Sequence, residues 1–278
     1  MRRPLRLTVP VLLALSLAAP VLAQELPTDA DDWTLQSAPE RKAVVAGINF
    51  TSGLSVAARC VDGVYDVLIT GLPEAPPRTM SRELGIQMGD APEPYTSVWT
   101  VGTRRDTAFS RIPAVVARDL AKGGKFQVVV PATGSSRRTR YVMDVTPSST
   151  AIEQTLTACG RPMIDPREVR AEEIDGNGQD GLPTSVAWQT VPRPTFPASV
   201  NGRSPTEGYV VLSCVADERG GLGECVTESE QPADYNLGRS VERSLTRARI
   251  RLTDEAATTG RPFAGRMIRF AVNFKMEP

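Results

Sequence analysis

Acid–base chemistry in this 278-residue chain would have to come from carboxylates, because it contains no histidine. Histidine is the usual general base near neutral pH, so its absence removes most Ser-His and Cys-His mechanisms. Two carboxylate pairs are close enough in sequence to act jointly: Glu228 with Glu230, and Glu172 with Glu173. Glycoside hydrolysis by such a pair needs the two groups across a cleft, one of them with a pKa raised by burial. The first pair falls on one face of an exposed strand and the second in a polar linker. The chain therefore reads as not an enzyme, and an envelope hydrolase using carboxylates is kept as a second alternative.

Metal and phosphate chemistry fare no better. The four cysteines, Cys60, Cys159, Cys214 and Cys225, contain no C-x-x-C pair, and a thiolate zinc site without histidine would need all four. The run 175–181, Asp-Gly-Asn-Gly-Gln-Asp-Gly, has spaced carboxylates but lacks the sixth-position glycine and twelfth-position glutamate of an EF-hand, so it reads as a solvated loop. Gly123-Gly124-Lys125 is too short for a phosphate loop and reads as a turn entering a strand. Asn49-Phe50-Thr51 matches the glycosylation acceptor pattern and reads as a chance match. No metal and no cofactor are expected. Arg239, Arg243 and Arg247 run along one helix face and would suit an anionic surface, although such a run is usually a solvated face partly neutralised by Glu242.

The elements that would carry these residues fall into two groups. Residues 43–50, 54–60, 64–72 and 125–130 are short, rich in Val and Ile, and bounded by Gly and Pro, as antiparallel strands are. Leu54, Val56 and Ala58 alternate with Ser55, Ala57 and Arg59, the period of a strand with one buried face. Residues 113–121 predict a short helix with Pro at its first turn and Gly123-Gly124 as its stop. A closing helix over 147–159 repeats Ile152, Leu156 and Cys159 at helical spacing, with Ser148 or Ser149 as cap and Gly160 and Pro162 beyond it. Its terminal cysteine can staple it to the early strand as Cys60 to Cys159.

The ends point to export. Arg2, Arg3 and Arg6 precede an apolar run over 7–23 that closes Val21-Leu22-Ala23, the layout of a signal peptide cleaved before Gln24. The run is shorter than the roughly 20 apolar residues that span a bilayer and carries Pro10 and Pro20. An uncleaved anchor is the other reading. An even cysteine count in an exported chain argues for disulfides, which places the protein in the periplasm. Removing the signal leaves 29 basic against 32 acidic residues, far from the basic excess of a nucleic-acid binder. Membrane association is expected only if the signal is retained.

In the second half, residues 209–216 and 223–230 predict a hairpin around Arg219-Gly220. A two-residue loop there sets Cys214 opposite Cys225, close enough for a disulfide worth roughly 2–3 kcal/mol. A helix over 234–249 places Leu237, Val241, Leu245 and Ala248 in one stripe. A last strand alternates Ile268, Phe270, Val272 and Phe274 with Arg269, Ala271 and Asn273. With a helix-length segment after Pro197, the order is helix, strand, strand, helix, strand.

Pro194 to Pro197, the Glu207-Gly208-Tyr209-Val210-Val211 strand opening, Gly221 to Val226, Gly260-Arg261-Pro262-Phe263 and the strand closing at Phe274 together resemble the C-terminal domain of the TonB energy-transducer family. The resemblance covers about a third of the chain. It implies a small sheet that grips an extended receptor peptide by adding it to an edge. Met267, Ile268, Arg269, Phe270, Ala271, Val272 and Asn273 would supply that partner-binding edge strand, unless they form a paired interior strand. The chain departs from the family in lacking a long proline-rich spacer and in having Ala248-Arg249-Ile250-Arg251-Leu252 where the family has an aromatic-centred motif. The first half more faintly resembles small alphaproteobacterial periplasmic proteins, through residues 148–152 and Cys159-Gly160.

The expected layout is thus α+β: signal peptide 1–23, a mostly antiparallel β domain over 24–161 with a closing helix, a linker over 162–183, and a TonB C-terminal-like helix-β-β-helix-β domain over 184–278 that folds alone. The expected function is a periplasmic protein-interaction module that binds an envelope protein by β-strand addition, and no nucleic acid. A membrane-anchored energy transducer for outer-membrane transport is the first alternative.

Overall fold

Alternation along residues 55–61 buries Val56, Ala58 and Cys60 and leaves Ala57 and Arg59 on the other side of a strand. The computed structural model, which describes residues 24–25, 33–134, 137–148, 150–168, 182–196, 207–258 and 262–275, places this strand in a ten-stranded antiparallel sheet. The strands are β1 (Gln24–Glu25), β2 (Thr34–Ala38), β3 (Ala43–Asn49), β4 (Ser55–Val61), β5 (Val64–Thr70), β6 (Ser81–Met88), β7 (Tyr95–Val101), β8 (Ala108–Ser110), β9 (Gly124–Val130) and β10 (Thr139–Val145). They run across the sheet in the order β1-β2-β3-β4-β5-β8-β7-β6-β9-β10. Residues 1–23, the expected export signal, lie outside the described residues, as does the acidic run 175–181.

Two helices cover one face of this sheet. Helix α1 (Pro113–Lys122) starts on a proline and packs on β5, and α2 (Thr150–Ala158) packs on β3 and β4. Helix α1 stops at Gly123, whose φ is +69° and where a Cβ would sit 2.5 Å from the Pro147 nitrogen. Only glycine fits there. Helix α2 is shorter than its expected span. Ser148 does not cap it, since its hydroxyl is buried without a hydrogen-bond partner and its backbone N–H donates to the Ala121 carbonyl. The Cys60–Cys159 disulfide, with Cα atoms 5.6 Å apart, ties β4 to the end of α2.

The smaller sheet has β12 (Glu207–Ala216) at its centre, with β13 (Leu222–Gln231) on one side and β15 (Met267–Lys275) on the other, all antiparallel. Helix α3 (Leu237–Leu245) covers one face, and its stripe of Leu237, Val241 and Leu245 is buried with Val210, Leu212, Ile268 and Phe270. The helix is shorter than 234–249. Arg249–Leu252 instead form β14, paired with β11 (Val186–Thr190), and a short helix α4 (Asp254–Thr258) follows. Trp188 meets Phe270 edge-on, and Phe196 meets Phe274 likewise. The helix expected after Pro197 lies outside the described residues.

The hairpin differs from its expected form. Asp217 N–H bonds to the Gly221 carbonyl, so the loop is the three residues 218–220, with Gly220 at φ +75°. That alone would shift the register and set Glu224 opposite Cys214. Glu224 takes φ 48°, the ladder is irregular between Ser213 and Val215, and the Cys214–Cys225 disulfide forms across 4.1 Å between Cα atoms. Two disulfides mark the protein of an oxidising, exported compartment.

Candidate functional site at the seam between the sheets

Strand β12 contains the continuous apolar run Tyr209-Val210-Val211-Leu212, which leaves neither face polar there. Side chains alternate across a strand, so both faces must be covered. Val210 and Leu212 face α3, whereas Tyr209 and Val211 are buried in the core of the large sheet, with Ala271 of β15 packed against it. The second face of the small sheet is closed by the first half of the chain.

Polar side chains complete this seam. The Tyr209 hydroxyl accepts a 2.7 Å hydrogen bond from Thr100, its ring lies 4.1 Å beneath the Arg111 guanidinium, and burial pushes its pKa up against the Thr100 bond. Ser229 donates to the Arg111 carbonyl at 2.6 Å. Residues 162–168, expected to begin a linker, are wedged alongside. Arg118 of α1, 6% exposed, donates through Nε and Nη2 to the Pro162 carbonyl at 3.0 and 2.8 Å and pairs with Glu168. Asp165 accepts from the Arg167 N–H at 2.9 Å and from its guanidinium, which donates onward to the Glu224 carbonyl at 2.9 Å.

The electrostatics follow from burial. Desolvation raises the Glu168 pKa against the pull of Arg118 and Arg269. Desolvation would raise Asp165 too, yet its bonds from Arg167 outweigh that and hold it below the ordinary carboxylate range. Buried charges that find such partners fix one arrangement of the chain, while removing one partner strands the other at several kcal/mol.

Beside the seam lies a groove of about 670 Å³. Residues 227–231 of β13 all border it. Consecutive strand residues point to opposite faces, so five in a row can line one space only where the strand's edge bounds it. Strand β13 is paired on its other side alone, to β12. Opposite it, residues 63–66 border the same groove, and β5 pairs with β8 only at Leu68 and Ile69, leaving its first half without a strand on that side. The groove thus runs between two unpaired stretches of strand edge, one from each sheet.

The carboxylate pair of β13 is divided, contrary to its expected placement on one exposed face. A register irregularity at Glu228 turns that residue inward to 6% exposure, where it accepts from Ser213 and lies 3.9 Å from Arg161. Glu230 accepts the Gly238 N–H at 2.7 Å, at the start of α3. Asp66, also at the groove, is bound by Arg59 at 3.0 Å. Each of these carboxylates already has a donor. Glu172 and Glu173 lie outside the described residues. Among the described residues, no cluster of His, Cys, Asp or Glu is placed to hold a metal ion.

The sequence-named edge, Met267 to Asn273, is the terminal strand of the small sheet, paired only with β12. Its two faces are not the covered and open faces that alternation suggested. Met267, Ile268, Arg269 and Phe270 are all buried, because the seam covers the side that carries Arg269, and exposure begins at Ala271 and Val272 and is full only at Asn273.

Comparison with protein-family models, with curated proteins and with solved structures finds no match. The site stands on its own geometry. Neither the seam nor the groove was anticipated from sequence, and the available signal was the apolar run at 209–212. Among the described residues, no helix is long and apolar enough to cross a membrane.

Proposed function

We propose that the protein is an exported protein-interaction module that takes up an extended segment of a cell-envelope partner by adding it as a strand to a sheet edge. The observation that carries this reading is the groove bounded by the unpaired edges of β13 and the first half of β5. Main-chain hydrogen bonds from such an edge provide grip, and pockets for alternate side chains provide selectivity. At about 670 Å³ the groove falls within the usual range of ligand clefts, about 300–1,000 Å³. The end of β15, where Asn273 and Lys275 are exposed, is a second available edge, the one the TonB-like resemblance points to. Export to the periplasm with cleavage before Gln24 belongs to the same reading.

Photo-crosslinking in cells tests it, with a benzophenone amino acid placed in turn at Val64, Gln231 and Asn273 of the exported protein. Adducts to one partner at Val64 and Gln231 are expected. Adducts at Asn273 alone move the site to β15, and absence of partner adducts at all three positions sinks the strand-addition reading.

A further inference from the structure

We infer that a second groove, between the C-terminal end of α3 and the segment after β11, is a docking surface for the anionic phospholipid headgroups of a membrane face. This groove of about 660 Å³ borders the C-terminal end of α3 and shares no lining residue with the first groove. Arg243 and Arg247, about one helical turn apart, form one wall, and Arg193 and Val191 the other. All three arginines are exposed, no acidic residue borders the groove, and none of the three is ion-paired to a described carboxylate. In the same molecule Arg59, Arg104, Arg105, Arg118 and Arg167 each have an acidic partner.

In a chain whose charges balance, with 32 basic and 32 acidic residues, this is a local excess of positive charge. Guanidinium groups bind phosphate through paired N–H donors, and the negative end of a helix dipole steadies cations placed there. Val191 decides between a membrane and a free anion. It is 60% exposed at the rim, where an apolar side chain gains nothing from a small ion but can rest against acyl chains below a headgroup layer. Each arginine close to an anionic leaflet contributes roughly five-fold in affinity, so three give on the order of 100-fold.

The test is co-sedimentation of the full mature chain, at low salt, with vesicles of phosphatidylglycerol mixed with phosphatidylcholine and with vesicles of phosphatidylcholine alone. Binding only to the anionic vesicles is expected, with a loss on the order of 100-fold in the variant carrying Arg193→Gln, Arg243→Gln and Arg247→Gln. A charge-matched variant with Arg41→Gln, Arg78→Gln and Arg137→Gln, all exposed elsewhere, should bind like the wild type. Failure of the wild type to sediment with anionic vesicles overturns the inference, and so does an equal loss in the charge-matched variant. A thermal shift with millimolar inorganic phosphate that vanishes in the groove variant, without vesicle binding, would make this a small-anion site and equally overturn it.

Discussion

The large and the small sheet solve the same burial problem in different ways. In β4 of the large sheet every second residue is buried, and one face carries the helices. In the small sheet β12 is buried almost throughout, with α3 on one face and the first half of the chain on the other. A sheet closed on one face can be read from alternation; a sheet closed on both depends on contacts remote in sequence. This difference also creates the candidate site, because the groove exists only where the two sheets meet.

The largest effect that sharpens the comparison belongs to the disulfides. Cys60–Cys159 closes a loop of 99 residues and Cys214–Cys225 one of 11. Chain-entropy reasoning gives about 4.7 kcal/mol for a loop near 100 residues and about 3 kcal/mol for one near 15. The paired change Cys60→Ser with Cys159→Ser should therefore cost more in urea denaturation than Cys214→Ser with Cys225→Ser. A reversed order would mean that the small sheet, rather than the large one, sets the stability of the chain.

Tyr209→Ala comes next. It removes a buried ring from the seam, where aromatic truncations cost about 3–5 kcal/mol, whereas Tyr209→Phe forfeits the hydroxyl's hydrogen bonds with Thr100 and Ser229, about 1 kcal/mol each. If Tyr209→Ala leaves the denaturation midpoint unmoved, the small sheet does not rest on the large one.

Four of the ten strands of the large sheet were legible. Val, Ile and glycine punctuation gave β3, β4, β5 and β9 to within a residue or two, and the proline and Gly123 gave both ends of α1 closely. Both disulfides were legible as well, the second despite a loop one residue longer than expected, because the irregularity at Glu224 offsets it. Strands β2, β6, β7, β8, β11 and β14 were not read, and the rest of what escaped was tertiary. Arg269 sits in an alternating pattern that reads as solvent-facing, yet it is 3% exposed, and Glu168 of the 162–168 segment lies close enough to interact with its charge. Arg118, itself 6% exposed, gives no local sign that its partner is Glu168, fifty residues later.

The smallest expected effect is a pH dependence. The folded-state pKa of Asp165 is lowered, so its contribution is fully present above its unfolded value near 3.8 and is lost as pH falls through the folded value. Glu168 is raised and works in the opposite sense, costing stability once ionised and relaxing as it protonates. Asp165→Asn should therefore flatten the stability profile below about pH 4, and Glu168→Gln should remove a gain in stability that accompanies acidification above about pH 4.5. Identical profiles for wild type and both variants would remove the seam carboxylates from the acid response.

The central claim is that the two sheets form one unit, with the small sheet dependent on the seam rather than folding alone. Scanning calorimetry of the mature chain with its disulfides intact tests this most directly. A single transition whose calorimetric and van't Hoff enthalpies agree is expected. Two resolved transitions, the weaker one unchanged in a separate fragment of residues 182–278, would show that the small sheet needs no second face and would contradict it.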